Sequence, residues 1–330
     1  MNAICALNPS SAGGLAMQRW PQIVDHLSAF RINYELLAEK EIPLGEQLTE
    51  RLERSTTGEF DTIVGIGGDG THSQLLNAMM KFAAGRADFK LPPYCIIPLG
   101  TGNNIAKSFG LTSREDFFVS DLRRAVGTVK YGADYHLDLG KIDGTYFADA
   151  FTIGLDSEIL HDRNIKKGRI ERIPVLREIV KGNYLLYTWA LTSKFWKRRR
   201  RQVDIKIDGE HWYSGPIINM VINNTRIYGG EFDFSRNAYA NDGLLDVIIF
   251  TGQVDYLSRY FLSLRNQPDR ILRMNDFLFK MSAQKQGARI EVQALEPEAA
   301  QIDGEELPPN SHFDISIVPN AIHIKTPAEP

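Results

Sequence analysis

Along the first third of the chain, short apolar runs alternate with stretches whose apolar residues recur at helical spacing. Ala3 to Leu7 is an apolar run that stops at the turn-rich loop Asn8-Pro9-Ser10-Ser11-Ala12-Gly13-Gly14. Trp20, Ile23, Val24 and Leu27 then mark one face of a helix over 19–30. The same reading predicts a strand over 34–38, a helix over 44–54, a buried strand over 62–66 and a helix over 71–81. A strand over 94–98 and a helix over 104–109 complete the series. Short apolar strands alternating with helices predict an α/β unit with a parallel sheet covered by helices.

From about residue 135 the period changes to that of strands. Strands are predicted over 136–141, 145–153, 202–208, 215–223, 244–251, 277–283, 288–294 and 313–318, with helical insertions near 170–195 and 254–273. Asp-Gly pairs at 143–144, 208–209, 242–243 and 303–304 favour tight hairpins. The second unit is therefore expected to be a mostly antiparallel β domain. The boundary is placed at 134/135, with 1–134 the first domain, 135–318 the second, and 319–330 a segment that could return to complete the first. The tail after Lys325 is polar and is expected to fray.

Composition narrows the class. The chain has 330 residues, enough for two domains, with 43% hydrophobic and 24% charged residues, which excludes global disorder. Net charge is −3, so the whole chain is no nucleic-acid polycation, and nucleic acid is not an expected partner. The two cysteines, Cys5 and Cys95, lie in apolar runs, which excludes a disulfide framework and a cysteine zinc site. No apolar run is long enough to span a bilayer as a helix, and no targeting segment is evident, so a cytoplasmic protein is expected.

Two glycine-rich loops carry the candidate chemistry. Gly67-Gly68-Asp69-Gly70-Thr71 stands between a predicted strand and a predicted helix. Glycines let backbone approach a phosphate, and the helix start offers unpaired N–H groups. Asp69 suits such a loop if magnesium bridges its carboxylate and the phosphates. The plainer reading is a turn with an Asp capping the helix. Pro98-Leu99-Gly100-Thr101-Gly102-Asn103-Asn104 repeats the strand–loop–helix arrangement, and Asn8-Pro9 follows the first strand in the same way. In a parallel sheet all three loops emerge at the carboxyl ends of strands, where ligands bind. Together they read as a nucleotide site.

These residues resemble the diacylglycerol kinase catalytic-domain family, which includes bacterial lipid kinases and sphingosine kinases. The matching marks are Asn8-Pro9, the loops at 67–71 and 98–103, Asp138, Gly154-Leu155-Asp156, Asn241-Asp242-Gly243-Leu244 and Asp303-Gly304-Glu305. The resemblance implies an α/β nucleotide domain of the NAD-kinase-like kind followed by a β-sandwich. It also implies an ATP- and Mg2+-dependent lipid kinase acting on a hydroxyl of a diacylglycerol-like or sphingoid lipid. Glu305 matches the general base and Asp69 the residue that organises magnesium and phosphates. Asn8, Pro9, Gly67, Gly68, Gly70, Thr71, Gly100, Thr101 and Asn103 match the nucleotide loops. Asp138 matches a weaker acidic position in the magnesium network. Tyr239, Asp242 and Leu244 match a structural magnesium site, while Asp242 also reads as an ordinary Asp-Gly turn residue. Many members have Asp where this chain has Asn104, and no Thr for nucleotide contact occurs in Leu36-Leu37-Ala38-Glu39.

One further stretch bears on partners. From Arg163 to Arg201 there are 13 Lys and Arg against Glu171 and Glu178, a charge of +11. Tyr184, Leu185, Tyr187, Trp189, Phe195 and Trp196 lie among them. Basic residues beside interfacial aromatics suit an anionic membrane surface, so peripheral membrane association is expected. The bland alternative is a solvated basic helix end. The sequence leaves a homodimer open. It also leaves two other functions: an NAD kinase, whose Asn-Glu and Gly-Phe-Leu marks are not evident, and a catalytically silent nucleotide- or membrane-binding regulator.

Overall fold

The computed structural model describes the chain except for residues 87, 101, 112–121, 171–198, 230–231, 234, 236–237, 264–282 and 328–330. The first half contains β1 (Asn2–Leu7), α1 (Leu15–Ala29), β2 (Asn33–Leu37), α2 (Leu44–Glu53), β3 (Thr62–Gly67) and α3 (Asp69–Gly85). It continues with β4 (Tyr94–Pro98), α4 (Asn104–Ser108) and α5 (Leu122–Tyr131). Strands β2, β1, β3 and β4 pair in that order and in parallel. Their side chains alternate between two cores: Ile4, Ala6 and Ile63 pack with Leu48, Leu75 and Met79 of α2 and α3. Ala3, Cys5, Val64 and Ile66 pack with Ile23 and Leu27 of α1 and Val126 and Val129 of α5. Both faces are covered, which is why these strands read as continuous apolar runs.

The second half follows with β5 (Ala133–Ile142), β6 (Thr145–Phe147), β7 (Ala150–Gly154), α6 (Leu155–Ile170), β8 (Arg201–Ile207), β9 (Glu210–Ile217) and β10 (Asn219–Asn223). It ends with β11 (Ile227–Tyr228), β12 (Phe232–Asp233), β13 (Leu245–Phe250), α7 (Gln253–Leu262), β14 (Ala283–Gly287), β15 (Arg289–Ile302) and β16 (Glu305–Thr326). Pairing here is antiparallel, around a core that includes Phe151, Ile205, Ile222, Val247, Val292 and Phe313. The fold is thus an N-terminal α/β unit with parallel strands and a C-terminal β-sandwich. The long strand β16 links them. It begins at Glu305 in the sandwich, pairs with β15 and β5, and its far end runs parallel to β4 through Ile324 and Tyr94.

Several predicted elements take a different form. The strand predicted over 145–153 breaks into β6 and β7 because the Asp303 carboxylate accepts the amides of Ala148, Asp149 and Ala150 at 2.9, 2.9 and 3.1 Å. The segment 210–223 is two strands, β9 in a hairpin with β8 and β10 beside β7. Helix α5 was not anticipated, although Leu122, Val126 and Val129 carry its apolar spacing. Three Asp-Gly pairs, at 143, 208 and 303, form two-residue hairpins with both residues at positive φ, the mirror-image turn that strand twist favours. The fourth, Asp242-Gly243, has only its glycine at positive φ. The insertion predicted near 170–195 lies almost wholly outside the described residues, as does most of the strand predicted over 277–283.

Candidate active site

The three predicted loops meet. Asn8 Nδ2 donates to Thr71 Oγ1 at 2.9 Å, and Ser11 Oγ donates to the Leu99 carbonyl at 2.8 Å. Leu99 N–H donates to the Gly67 carbonyl at 2.6 Å. Gly68 and Gly100 then pack backbone on backbone. A Cβ on Gly68 would stand 3.0 Å from the Gly100 Cα, and one on Gly100 would collide with the Gly68 Cα. Glycine at both positions is a steric condition of the loops touching. Asn103 has φ of +54°, and its amide closes on the Gly100 backbone, accepting from N–H and donating to the carbonyl, each at 2.9 Å. Both ends of its side-chain amide are thus taken up in shaping the loop. Pro9 sits in the first loop. Thr101 lies outside the described residues.

Asp69 opens α3, yet its carboxylate serves the neighbouring helix. Ile105 N–H donates to Asp69 Oδ1 at 3.3 Å. Burial pushes the Asp69 carboxyl above the usual range, opposed by amides at 103–105 and by the charge of Lys107. Asp69 in turn acts on two more buried carboxylates. Asp303 is pushed up to about 6 by burial, against the pull of its three amide partners. Asp149 is pushed well above the usual range by burial first and by Asp303 next, with Asp69 adding to the effect. Asp149 and Lys107 had no local sequence signal: one lies at a strand break, the other inside a short helix. No three His, Cys, Asp or Glu side chains among the described residues converge closely enough to hold a metal ion unaided. A hard cation here would draw on Asp69 together with phosphate oxygens, the mixed set magnesium commonly uses. Buried, charge-bearing oxygens with one cation nearby fit that requirement.

Glu305 arrives from the other half. It is exposed, follows the Asp303-Gly304 turn, and its Oε1 lies 2.9 Å from where a Cβ on Gly70 would stand. A carboxylate from β16 therefore stands over the first turn of α3, beside the loop that carries Asp69. Its neighbour Glu306 points the other way, toward α6, bonding His161 Nδ1 at 2.7 Å and accepting from Asn164 Nδ2 at 2.5 Å.

Asp138 is placed differently from its expected role. Its carboxylate accepts the amides of Gly243 and Asn320, both at 2.7 Å, and its own N–H donates to the Ala240 carbonyl. It organises the 239–244 turn, and it is not among the charges acting on Asp69. In that turn Asp242 N–H donates to the Tyr239 carbonyl at 3.2 Å, and Leu244 N–H donates to Asp242 Oδ1 at 2.9 Å. Tyr239, Asp242 and Leu244 thus close a turn on themselves, which is what an Asp-Gly turn residue does. Burial pushes the Asp242 carboxyl up, with Asp138 adding to it.

The end of the basic run is also corrected. Arg201 is buried and bonds Glu298 Oε2 at 2.8 Å, Glu158 Oε1 and the Ile218 carbonyl. Arg199 bridges to Glu298 at 3.1 Å and Glu158 at 3.4 Å. These two arginines tie α6, β8 and β15 together and are no free docking surface. Residues 171–198 of the run lie outside the described residues. Among the described residues no helix is long and apolar enough to cross a membrane.

Comparison with known proteins agrees with this arrangement. The model of the diacylglycerol kinase catalytic domain matches residues 2–133, and that of the YegS C-terminal NAD kinase beta sandwich-like domain matches residues 175–326. The chain is 24% identical over 242 residues to a diacylglycerol kinase of Bacillus subtilis strain 168, covering 73% of this chain and 71% of that one. It is 26% identical over 271 residues to the "probable lipid kinase YegS-like" of Citrobacter koseri, covering 82% and 79%. A crystal structure of a diacylglycerol kinase from Bacillus anthracis has the same fold, with a TM-score of 0.69 at 18% identity over 98% of this chain and 96% of that one. Two models matched in succession along one chain, on a fold that joins the same two parts, show that the protein belongs to the diacylglycerol kinase catalytic-domain family of lipid kinases.

Proposed function

We propose that the protein transfers the γ-phosphoryl group of ATP to a hydroxyl of a diacylglycerol-like or sphingoid lipid. The observation that carries this reading is the approach of Glu305 to Gly70. It puts a solvent-accessible carboxylate beside a glycine loop suited to phosphate. The backbone N–H groups at 68–70, at the start of α3, would bind the phosphates, with Gly68 and Gly100 letting the two loops close on one another. Glu305 would accept the proton of the attacking hydroxyl as the phosphoryl group arrives. Magnesium, held by Asp69 and the phosphates, would neutralise charge on the transferring group. The proposed division assigns 1–134 and 319–330 to the ATP-binding domain, supported by the pairing of β16 with β4, and 135–318 to the lipid domain.

Lipid hydroxyls lie at a bilayer surface, so the enzyme would dock peripherally. The basic and aromatic composition of 163–198 supports that step, with Arg199 and Arg201 now assigned to the fold. The test is incubation of the full chain with γ-labelled ATP, Mg2+ and a panel of diacylglycerols, ceramides and sphingoid bases in anionic vesicles. Label on one lipid class is the expected result. Absence of label on every lipid, with nucleotide still bound, would favour the silent regulator.

A further inference from the structure

Position 104 departs from the family pattern, because an amide stands where many members have a carboxylate. The surroundings of that amide account for the departure. Asn104 Nδ2 donates to Asp149 Oδ2 at 2.6 Å, while Thr225 Oγ1 donates to Asp149 Oδ1 at 2.5 Å. Asn104 therefore turns its amide nitrogen to Asp149, whose other oxygen is taken by Thr225. Its carbonyl oxygen is thereby turned the other way. That oxygen is buried and has no hydrogen-bond partner. Leaving a buried acceptor unpaired is destabilising, so it calls for a ligand. It borders the same space as Asp69: a Cβ on Gly102 would stand 2.8 Å from Asp69 Oδ2 and 3.7 Å from Asn104 Oδ1. Left to itself, the amide would turn its N–H2 toward the Asp69 carboxylate, the better electrostatic match. Asp149 prevents this.

We infer that Asp149 is a positioning residue for the magnesium-nucleotide site: it fixes Asn104 with Oδ1 beside Asp69 as a cation-binding oxygen. It also places a carboxyl group directly behind position 104, where the chain itself carries an amide. The pair 104/149 is then an amide–carboxylate pair in reversed order, and Asn104 is no sign of a lost site. This inference rests on the metal-dependent reading above.

The test measures Mn2+ binding to the full chain in the presence of a non-hydrolysable ATP analogue, by the loss of the free Mn2+ electron paramagnetic resonance signal. Asp149→Asn should weaken Mn2+ binding about 10–100-fold, the usual effect of removing a residue that orients a ligand. With an amide at 149 the pair can be satisfied either way round, and Asp69 then draws the Asn104 nitrogen. Asn104→Ala should weaken Mn2+ comparably, because it removes the oxygen and leaves Asp149 in place. The double variant Asn104→Asp/Asp149→Asn keeps the hydrogen-bonded pair with roles exchanged and should bind within about threefold of wild type. It and Asn104→Ala decide the matter even if Asp149→Asn alone does not fold. Wild-type Mn2+ affinity in both Asp149→Asn and Asn104→Ala would overturn the inference while leaving the metal-dependent reading standing. A double variant as weak as Asn104→Ala would do the same. A wild-type chain that holds no Mn2+ with nucleotide would overturn that reading and the inference with it.

Discussion

The two walls of the candidate cleft are built by opposite means. The loop wall, at 8–11, 67–71 and 98–103, consists of backbone brought close by glycine, with side chains such as Asn8, Thr71 and Asn103 turned inward to hold the loops. The strand wall consists of single carboxylates, Asp149, Asp303 and Glu305, set at a strand break and a hairpin turn. The first wall fails when something is added, since there is no room between Gly68 and Gly100. The second fails when charge is removed or left unpaired. A site for a charged ligand needs both: shape to admit it and charge to act on it.

Substitutions can break this comparison, and the largest effect is expected on the strand wall. Glu305→Gln should lower kcat on the best lipid about 10²–10⁴-fold, the usual cost of losing a general base. The residue is exposed, so the thermal unfolding midpoint should hold. A Gln variant with wild-type kcat would remove Glu305 from the chemistry.

Arg201→Gln extends the charge rule away from the cleft. It removes the buried guanidinium shared by Glu158 and Glu298, leaving Glu298, whose side chain is 4% exposed, to Arg199 alone, and should cost about 3–5 kcal/mol in urea unfolding. A loss below 1 kcal/mol would mean the arginine is a solvated end after all.

On the loop wall, Gly100→Ala sharpens the steric rule. Overpacking against the Gly68 backbone should cost about 1–3 kcal/mol and weaken ATP binding together with it. Calorimetric titration with ATP would expose the contrary case, in which affinity survives and the loops simply part.

The smallest effect concerns a carboxylate outside the cleft. Burial pushes Asp246 up to about 6 from 3.8, with Asp242 adding to it. A raised carboxyl binds protons more tightly folded than unfolded. Its contribution is therefore full below pH 3.8 and is lost as pH rises through about 6. Asp246→Asn should raise stability at pH 7 by about 2 kcal/mol and flatten the pH 4–6 slope, measured by thermal unfolding with chelator present. An unchanged slope would place the titration elsewhere.

The contrast between the walls also governs what could be read in the sequence. Glycine loops between a strand and a helix are local, so the loops at 67–71 and 98–103 are legible in the sequence, whereas their contact with each other is not. The Asp-Gly hairpins were legible for the same reason. Asp149 was not, because its role comes from partners at Asn104, Thr225 and Asp303, far along the chain. The same distance hid Arg201, which looks like the end of a basic run until Glu158 and Glu298 are brought to it. Asp138 misled in the opposite sense: its place in the family pattern suggested the magnesium network, whereas the fold sets it under the 239–244 turn.

The most direct test separates nucleotide binding from transfer in a single-turnover experiment on vesicle-borne lipid with γ-labelled ATP and Mg2+. Gly68→Ala, on the loop wall, should raise the ATP Kd, because a methyl group would press on the Gly100 backbone and push the two loops apart. Glu305→Gln, on the strand wall, should leave that Kd unchanged and slow the transfer of label to the lipid hydroxyl. Wild-type Kd and wild-type transfer rate in both variants would contradict the account.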